Sequence, residues 1–178
     1  MKILKHLHTI NTHKLMVMKM LFKVGLYKQG LLHDMSKYTY TELRVGAKYY
    51  QGYRSPNNAE REALGYSSAW LHHKGRNKHH FEYWIDYSTN KESAFEGIRM
   101  PVRYVVEMFV DRVAASKTYQ KENYRDDHPL FYYEQGVKKL GNMIHPDTSK
   151  LLHHLLRKLA KEGEKETFRY IRKEILKK

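Results

Sequence analysis

Apolar residues along this chain recur mostly three and four positions apart, the period of an α-helix, and the strict alternation of a half-buried strand is absent. The first periodic stretch predicts a helix over about 12–29, ended by Gly30. At about 100° per residue, His13, Val17, Met20 and Val24 share one face. Leu15, Phe22 and Leu26 line the opposite side, so this helix is expected to be covered twice. His33-Asp34 follows in a turn. Thr39, with Glu42 three positions on, has the form of a capping box opening a helix through about Tyr50.

Residues 51–58, with Gly52, Pro56 and two asparagines, read as a loop. Helical periodicity resumes near Ala59 and near Ser67; 74–78 forms a basic turn and 88–99 a second loop. Pro101 suits the first turn of a helix reaching about Tyr119. Val102, Val105, Val106, Phe109 and Val113 make its main stripe, with Tyr104, Met108 and Ala115 behind, so it should be buried on both sides. A helix over about 129–140 ends at Gly141, and a further one, capped by Asp147 or Thr148, ends at Gly163. A last helix over about 164–176 closes a hairpin rich in Lys and Arg. The expected fold is an all-α, single-domain helical bundle over 1–178, with its core at about 10–125 and C-terminal helices at about 126–178.

A chain of 178 residues, 41% hydrophobic, can bury such a core without covalent staples. It has no Cys, which excludes disulfides and thiolate metal sites. The apolar stretch 15–26 is cut by Lys19 and Lys23, so it reads neither as a signal core nor as a membrane span. A cytoplasmic protein without a membrane partner is expected. The net charge of +14, with His neutral, attracts phosphates, nucleotides, nucleic acids or acidic membranes without choosing among them.

Placement of the twelve histidines narrows the choice. His13 faces a helix core; His33 and Asp34 are adjacent; His72-His73 and His79-His80 flank the basic turn; Asp111 lies on a helix apolar on both sides. Each has an ordinary reading. His13 can be a hydrogen-bonded core histidine, His33-Asp34 a turn and cap, and the paired histidines a solvated face. Asp111 can pair with Arg103 or Arg112. His6, His8, His128, His145, His153 and His154 are assigned to surface or packing. Together, however, buried carboxylates and imidazoles satisfy one another poorly, and a divalent cation stabilises their deprotonated forms. Imidazole and carboxylate donors without thiolate suit Fe, Mn, Zn, Co or Ni.

The ordered set His13, then Leu31-Leu32-His33-Asp34-Met35-Ser36-Lys37, then Val110-Asp111-Arg112-Val113-Ala114-Ala115 resembles the HD superfamily of metal-dependent phosphohydrolases. The stretch from His13 to about Tyr124 also resembles a family of small bacterial and phage proteins of uncharacterised activity. That resemblance lies in Gly-Leu-x-His-Asp-x-Ser-Lys, Ala-Lys-Tyr-Tyr-Gln-Gly, Trp70 to His80, and Glu-Tyr-Trp84. The HD resemblance implies an all-α fold and one or two divalent transition-metal ions. It assigns His13, His33, Asp34 and Asp111 to a first ion. His73 and His79 would hold a second, with Asp34 bridging and His72 and His80 as alternates. It further implies that Asp34 orients an attacking water and that Lys37 binds phosphate. Lys74, Arg76 and Lys78 add positive charge for a substrate. Tyr49, Tyr50, Trp70, Tyr83 and Trp84 either wall a base pocket or belong to the core.

The implied function is hydrolysis of a nucleotide or other phosphoester. The alternatives are a non-catalytic basic protein that binds nucleic acid, and an HD-like oxygenase with two irons.

Overall fold

Gly25, not Gly30, ends the first helix. In the computed structural model, which describes residues 2–89 and 91–177, α1 runs Lys2–Lys23 and begins ten residues before its expected start. Gly25 takes a φ of +77°, open to glycine at little cost, and the chain restarts as α2, Tyr27–Leu32, which carries Gly30 inside it. Second cover on α1 is therefore partial. Phe22 packs edge-on against Tyr27 and Leu26 is buried, but Leu15 is exposed.

A short 3₁₀ turn, Met35–Tyr38, leads into α3, Tyr40–Tyr49. The expected capping box does not form. Thr39 Oγ1 donates to the Ser36 carbonyl, and Glu42 turns inward, buried. Helices α4, Pro56–Leu64, and α5, Ser68–Lys74, start on Ser55 and Ser67, whose side chains accept the backbone N–H of Asn57 and Trp70. The 88–99 loop, whose Asn90 lies outside the described residues, is shorter than expected, because 95–97 form one strand of a small antiparallel pair. Strand β1, Ile85–Tyr87, lies against β2, Phe95–Gly97, with Ile85 opposite Gly97.

Helix α6, Val102–Gln120, is the centre of the fold. Val105, Val106, Met108, Phe109, Val110, Val113 and Ala114 are all buried, which explains its apolar residues on two sides. Val17, Met20, Leu21 and Val24 of α1 join the same core cluster, as do Leu152, Leu155, Leu156 and Leu159 of α8. Helix α7, His128–Val137, adds Tyr133. Helix α8, Pro146–Tyr170, is capped by His145, whose Nδ1 accepts the Asp147 N–H, rather than by Asp147 or Thr148. Thr148 is buried and accepts the Met100 N–H.

At Gly163 (φ +78°) α8 breaks where the sequence places its end. Tyr170 folds back against His154, the ring centroids 5.5 Å apart, and a π-helical turn, Ile171–Ile175, follows. The fold is thus all-α with a C-terminal helical hairpin. No helix among the described residues is long and apolar enough to cross a membrane.

Candidate metal centre

Four parts of the chain converge on Asp34. His13 comes from α1, two turns from His6 on the buried face. His33 ends α2. Asp111 comes from α6, one turn beyond Glu107 on the same face. The fourth part is α5 and the turn after it, which supply His73, His79 and His80. Asp34 itself adopts a left-handed backbone (φ 55°, ψ 27°), a conformation Asp tolerates better than most residues. That turn aims its carboxylate into the interior, where it is 2% exposed.

Among the described residues the convergence makes two sets of donor atoms that share Asp34, the atoms of each within 4.8 Å of one another, and a third set, His33, His79 and Glu107, that does not contain it. Of the two that share Asp34, one is His13, His33, Asp34 and Asp111; the other is Asp34, His73, His79 and His80. In the first, His13 Nε2 lies 2.9 Å from Asp111 Oδ1 and 3.9 Å from Asp34 Oδ2. His33 Nε2 lies 3.3 Å from Asp34 Oδ2 and 3.5 Å from Asp111 Oδ1. In the second, His73 Nε2 and His79 Nε2 stand 3.3 and 3.4 Å from Asp34 Oδ1. Asp111 pairs with His13 and not with Arg103 or Arg112.

Two glutamates behind the histidines fix which ring nitrogen faces inward. Glu42 Oε2 accepts from His73 Nδ1 at 2.9 Å. Glu107 Oε1 lies 3.0 Å from His33 Nδ1 and 3.3 Å from His79 Nδ1. A carboxylate can only accept, so each Nδ1 carries the proton and each Nε2 presents a lone pair to Asp34. Lone pairs then face carboxylate oxygens across about 3.3 Å. His33 Nε2, His79 Nε2, His80 Nε2 and Asp34 Oδ1 have no hydrogen-bond partner among the described residues. Buried acceptors turned on one another are unfavourable unless a proton or a cation lies between them. The residues therefore fit a metal ion.

The titration behaviour reports the same field. Burial opposes charge on His33, but Asp34, Asp111 and Glu107 outweigh it and hold its pKa well above the usual value. Burial likewise opposes charge on His73, yet Asp34 and Glu42 raise its pKa to about 8. Burial works to raise Asp34, Asp111 and Glu107, but the surrounding histidines, with Lys37 for Asp34, pull all three down, Glu107 to about 2. His80 goes the other way: burial and then the neighbouring His79 and His73 hold it neutral. Burial also keeps His13 low despite Asp111.

These elements belong to a recognised group of sequences. The model of a family of unknown function (DUF5662) matches residues 2–158. The chain belongs to that family. No curated protein and no solved structure matches it. The part of this DUF5662 chain that matches contains both donor sets and ends within α8, before Gly163.

Not every residue singled out by sequence reaches the site. His72 is half-buried with its Nδ1 2.7 Å from Glu42 Oε1 and belongs to no donor set, so His80 and not His72 joins His73 and His79. Lys37 is in place, its Nζ 2.6 Å from Asp34 Oδ2, and Asp34 raises its pKa against burial. Lys74, Arg76 and Lys78 do not line the cavity above the site. His73, Asn77 and His79 take the inner side of that turn, while Arg76 and Lys78 are exposed.

That cavity, about 770 Å³, has His13, Lys37, His73, His80 and Asp111 in its lining. The cations in its wall are Lys37, Arg54 and Arg112. Arg54 is paired with Glu62, whereas Arg112 Nε is buried without a hydrogen-bond partner. Of the expected aromatics, Tyr50 and Trp70 line the cavity; Tyr49, Tyr83 and Trp84 do not. Tyr53, Tyr119, Phe131 and Tyr132 take their place. In the sequence Glu42 has only a capping role and Glu107 none. For Glu107 the available signal was its position one turn before Asp111 on a helix with apolar residues all round.

Proposed function

We propose that this protein is a metal-dependent phosphohydrolase of the HD type, acting on a nucleotide or another phosphoester. The observation that carries the reading is Asp34 standing at the shared corner of two donor sets, beneath a cavity whose lining includes Lys37 and Arg112. His13, His33, Asp34 and Asp111 would hold one ion, and Asp34, His73, His79 and His80 a second. Five imidazoles and two carboxylates without thiolate suit Mn, Fe, Co, Ni or Zn. A bound divalent cation supplies Lewis acidity toward a phosphoryl oxygen and toward water.

The chain's own residues supply the rest. Lys37, partly exposed and on the cavity side of Asp34, offsets charge on the phosphoryl oxygens. Asp34 orients the attacking water through its carboxylate. Arg112 offers further donors at the wall, and Tyr50, Trp70 and Tyr119 give aromatic surface for the group that leaves. Hydrolysis forms a P–O bond from water and breaks the ester P–O bond, releasing the alcohol. The test is phosphate release from phosphomonoesters and nucleotides with Mn, Co or Ni added. Release is expected from the wild type and is expected to be lost in His33→Ala and Asp34→Ala.

A different observation favours a second reading. Lys23, Lys165, Arg169, Arg172 and Lys173 surround a cleft at the C-terminal hairpin, with Glu164 as its acid. A nucleic-acid-binding role would use that cleft. It predicts tight, salt-sensitive binding that His33→Ala and Asp34→Ala leave unchanged. The same donor atoms would also serve a two-iron oxygenase, which predicts two irons and visible colour after oxidation in place of phosphate release.

A further inference from the structure

Glu107 stands behind both donor sets at once. Its Oε1 is 3.0 Å from Nδ1 of His33, which belongs to the first set, and 3.3 Å from Nδ1 of His79, which belongs to the second. The two rings lie side by side with centroids 4.5 Å apart. Its other oxygen, Oε2, accepts from Gln29 Nε2 at 2.5 Å, and Gln29 also donates to the Arg103 carbonyl. The carboxylate is 5% exposed, so no competing water shell sets its orientation. Glu42 differs. Of the histidines in the donor sets it touches only His73, and its other oxygen goes to His72, which belongs to no donor set.

We infer that Glu107 is a positioning residue shared by both cation positions, one carboxylate that fixes the tautomer and aim of an imidazole in each. The inference rests on the two-cation reading above. A carboxylate behind a ligand imidazole raises the basicity of the facing nitrogen and holds the ring in register. Here both effects reach two ions through one oxygen atom. Loss of its charge therefore weakens both ions, whereas loss of the Glu42 charge weakens only the ion that His73 holds.

The experiment is a calorimetric titration of the full chain, stripped by chelation, with Co(II), together with metal content after dialysis. Wild type, Glu107→Gln and Glu42→Gln are compared, with melting of the stripped proteins measured alongside. Two ions are expected in the wild type. In Glu107→Gln both should bind about 10- to 100-fold more weakly, and in Glu42→Gln one only. Fewer than two ions in the wild type overturns the two-cation reading itself. Two ions in the wild type with Glu107→Gln weakening one or neither overturns the inference alone. If Glu107→Gln does not fold, Gln29→Leu is used, which leaves the carboxylate in place but removes its third partner. Equal, smaller weakening of both ions is then expected, and weakening of one alone overturns the proposal.

Discussion

His73 is under opposed demands. Its Nδ1 proton goes to Glu42, while against burial Asp34 favours a second proton at Nε2 and lifts the pKa to about 8. In the stripped protein that second proton stabilises the fold fully below the unfolded value of about 6.5. The stabilisation is lost as pH rises through about 8, a contribution of about 2 kcal/mol. A cation competes with the same proton, so its affinity has the opposite trend. It should fall by at least tenfold for each pH unit below about 8, checked by Co(II) titrations between pH 6 and pH 8.5. An affinity independent of pH over that range would mean that His73 is not a ligand. The paired histidines give a second test at this scale. His80→Ala should lose one ion and His72→Ala none, since His72 belongs to no donor set; metal content after dialysis decides it.

The loop between α5 and the short Phe81–Trp84 turn shows how an element, rather than a residue, builds a site. Asn77 is buried, and its side-chain amide donates to Ser36 Oγ and to the His73 carbonyl, both at 2.8 Å. It ties the turn that carries His79 and His80 to the segment that carries Asp34. Asn77→Ala should cost about 1–3 kcal/mol in chemical denaturation, because it leaves buried partners unmatched. It should also weaken the ion held by His73, His79 and His80 more than the other. Equal weakening of both ions would contradict this role.

The same elements show what periodicity could and could not convey. The spacing of His13 with Val17, Met20 and Val24 located its face correctly, and the apolar residues around Asp111 marked a central helix. Glu42 was hidden because Thr-x-x-Glu is also what a capping box looks like, and only the packing of α5 against α3 decides between a helix end and a buried histidine. The end of α1 differs from the expected one because Gly25 and Gly30 are equally good stops locally. The choice falls to Gly25, where the chain turns so that Tyr27 of α2 packs against Phe22.

At the scale of the whole molecule the site and the core share one helix. Helix α6 places Val105, Val106, Phe109 and Val110 in the core, Asp111 in the lining of the cavity and Glu107 behind His33. Cation binding should therefore stabilise the entire fold. With free ion at about 100 times Kd, each site adds about 2.7 kcal/mol. Chelation should lower the melting temperature, re-addition of Mn or Co should restore it, and a melt indifferent to chelation would contradict the coupling.

The charge of +14 is also a property of the whole chain, but its use is local. Lys37 and Arg112 face the cavity, while the cations of the 74–78 turn, expected beside the substrate, lie outside it. The convergence of His33, Asp34 and Asp111 was implied by the HD resemblance; which cations faced them could not be anticipated, because a turn shows its inner and outer sides only once folded.

Everything functional rests on Asp34 serving two cation positions at once. The most direct test is the metal content of wild type and Asp34→Asn after dialysis against Co(II) or Mn(II). About two ions per chain in the wild type and a loss from both positions in Asp34→Asn is the predicted result; a wild type that retains no ion, or an Asp34→Asn protein that keeps the full complement, would contradict the account.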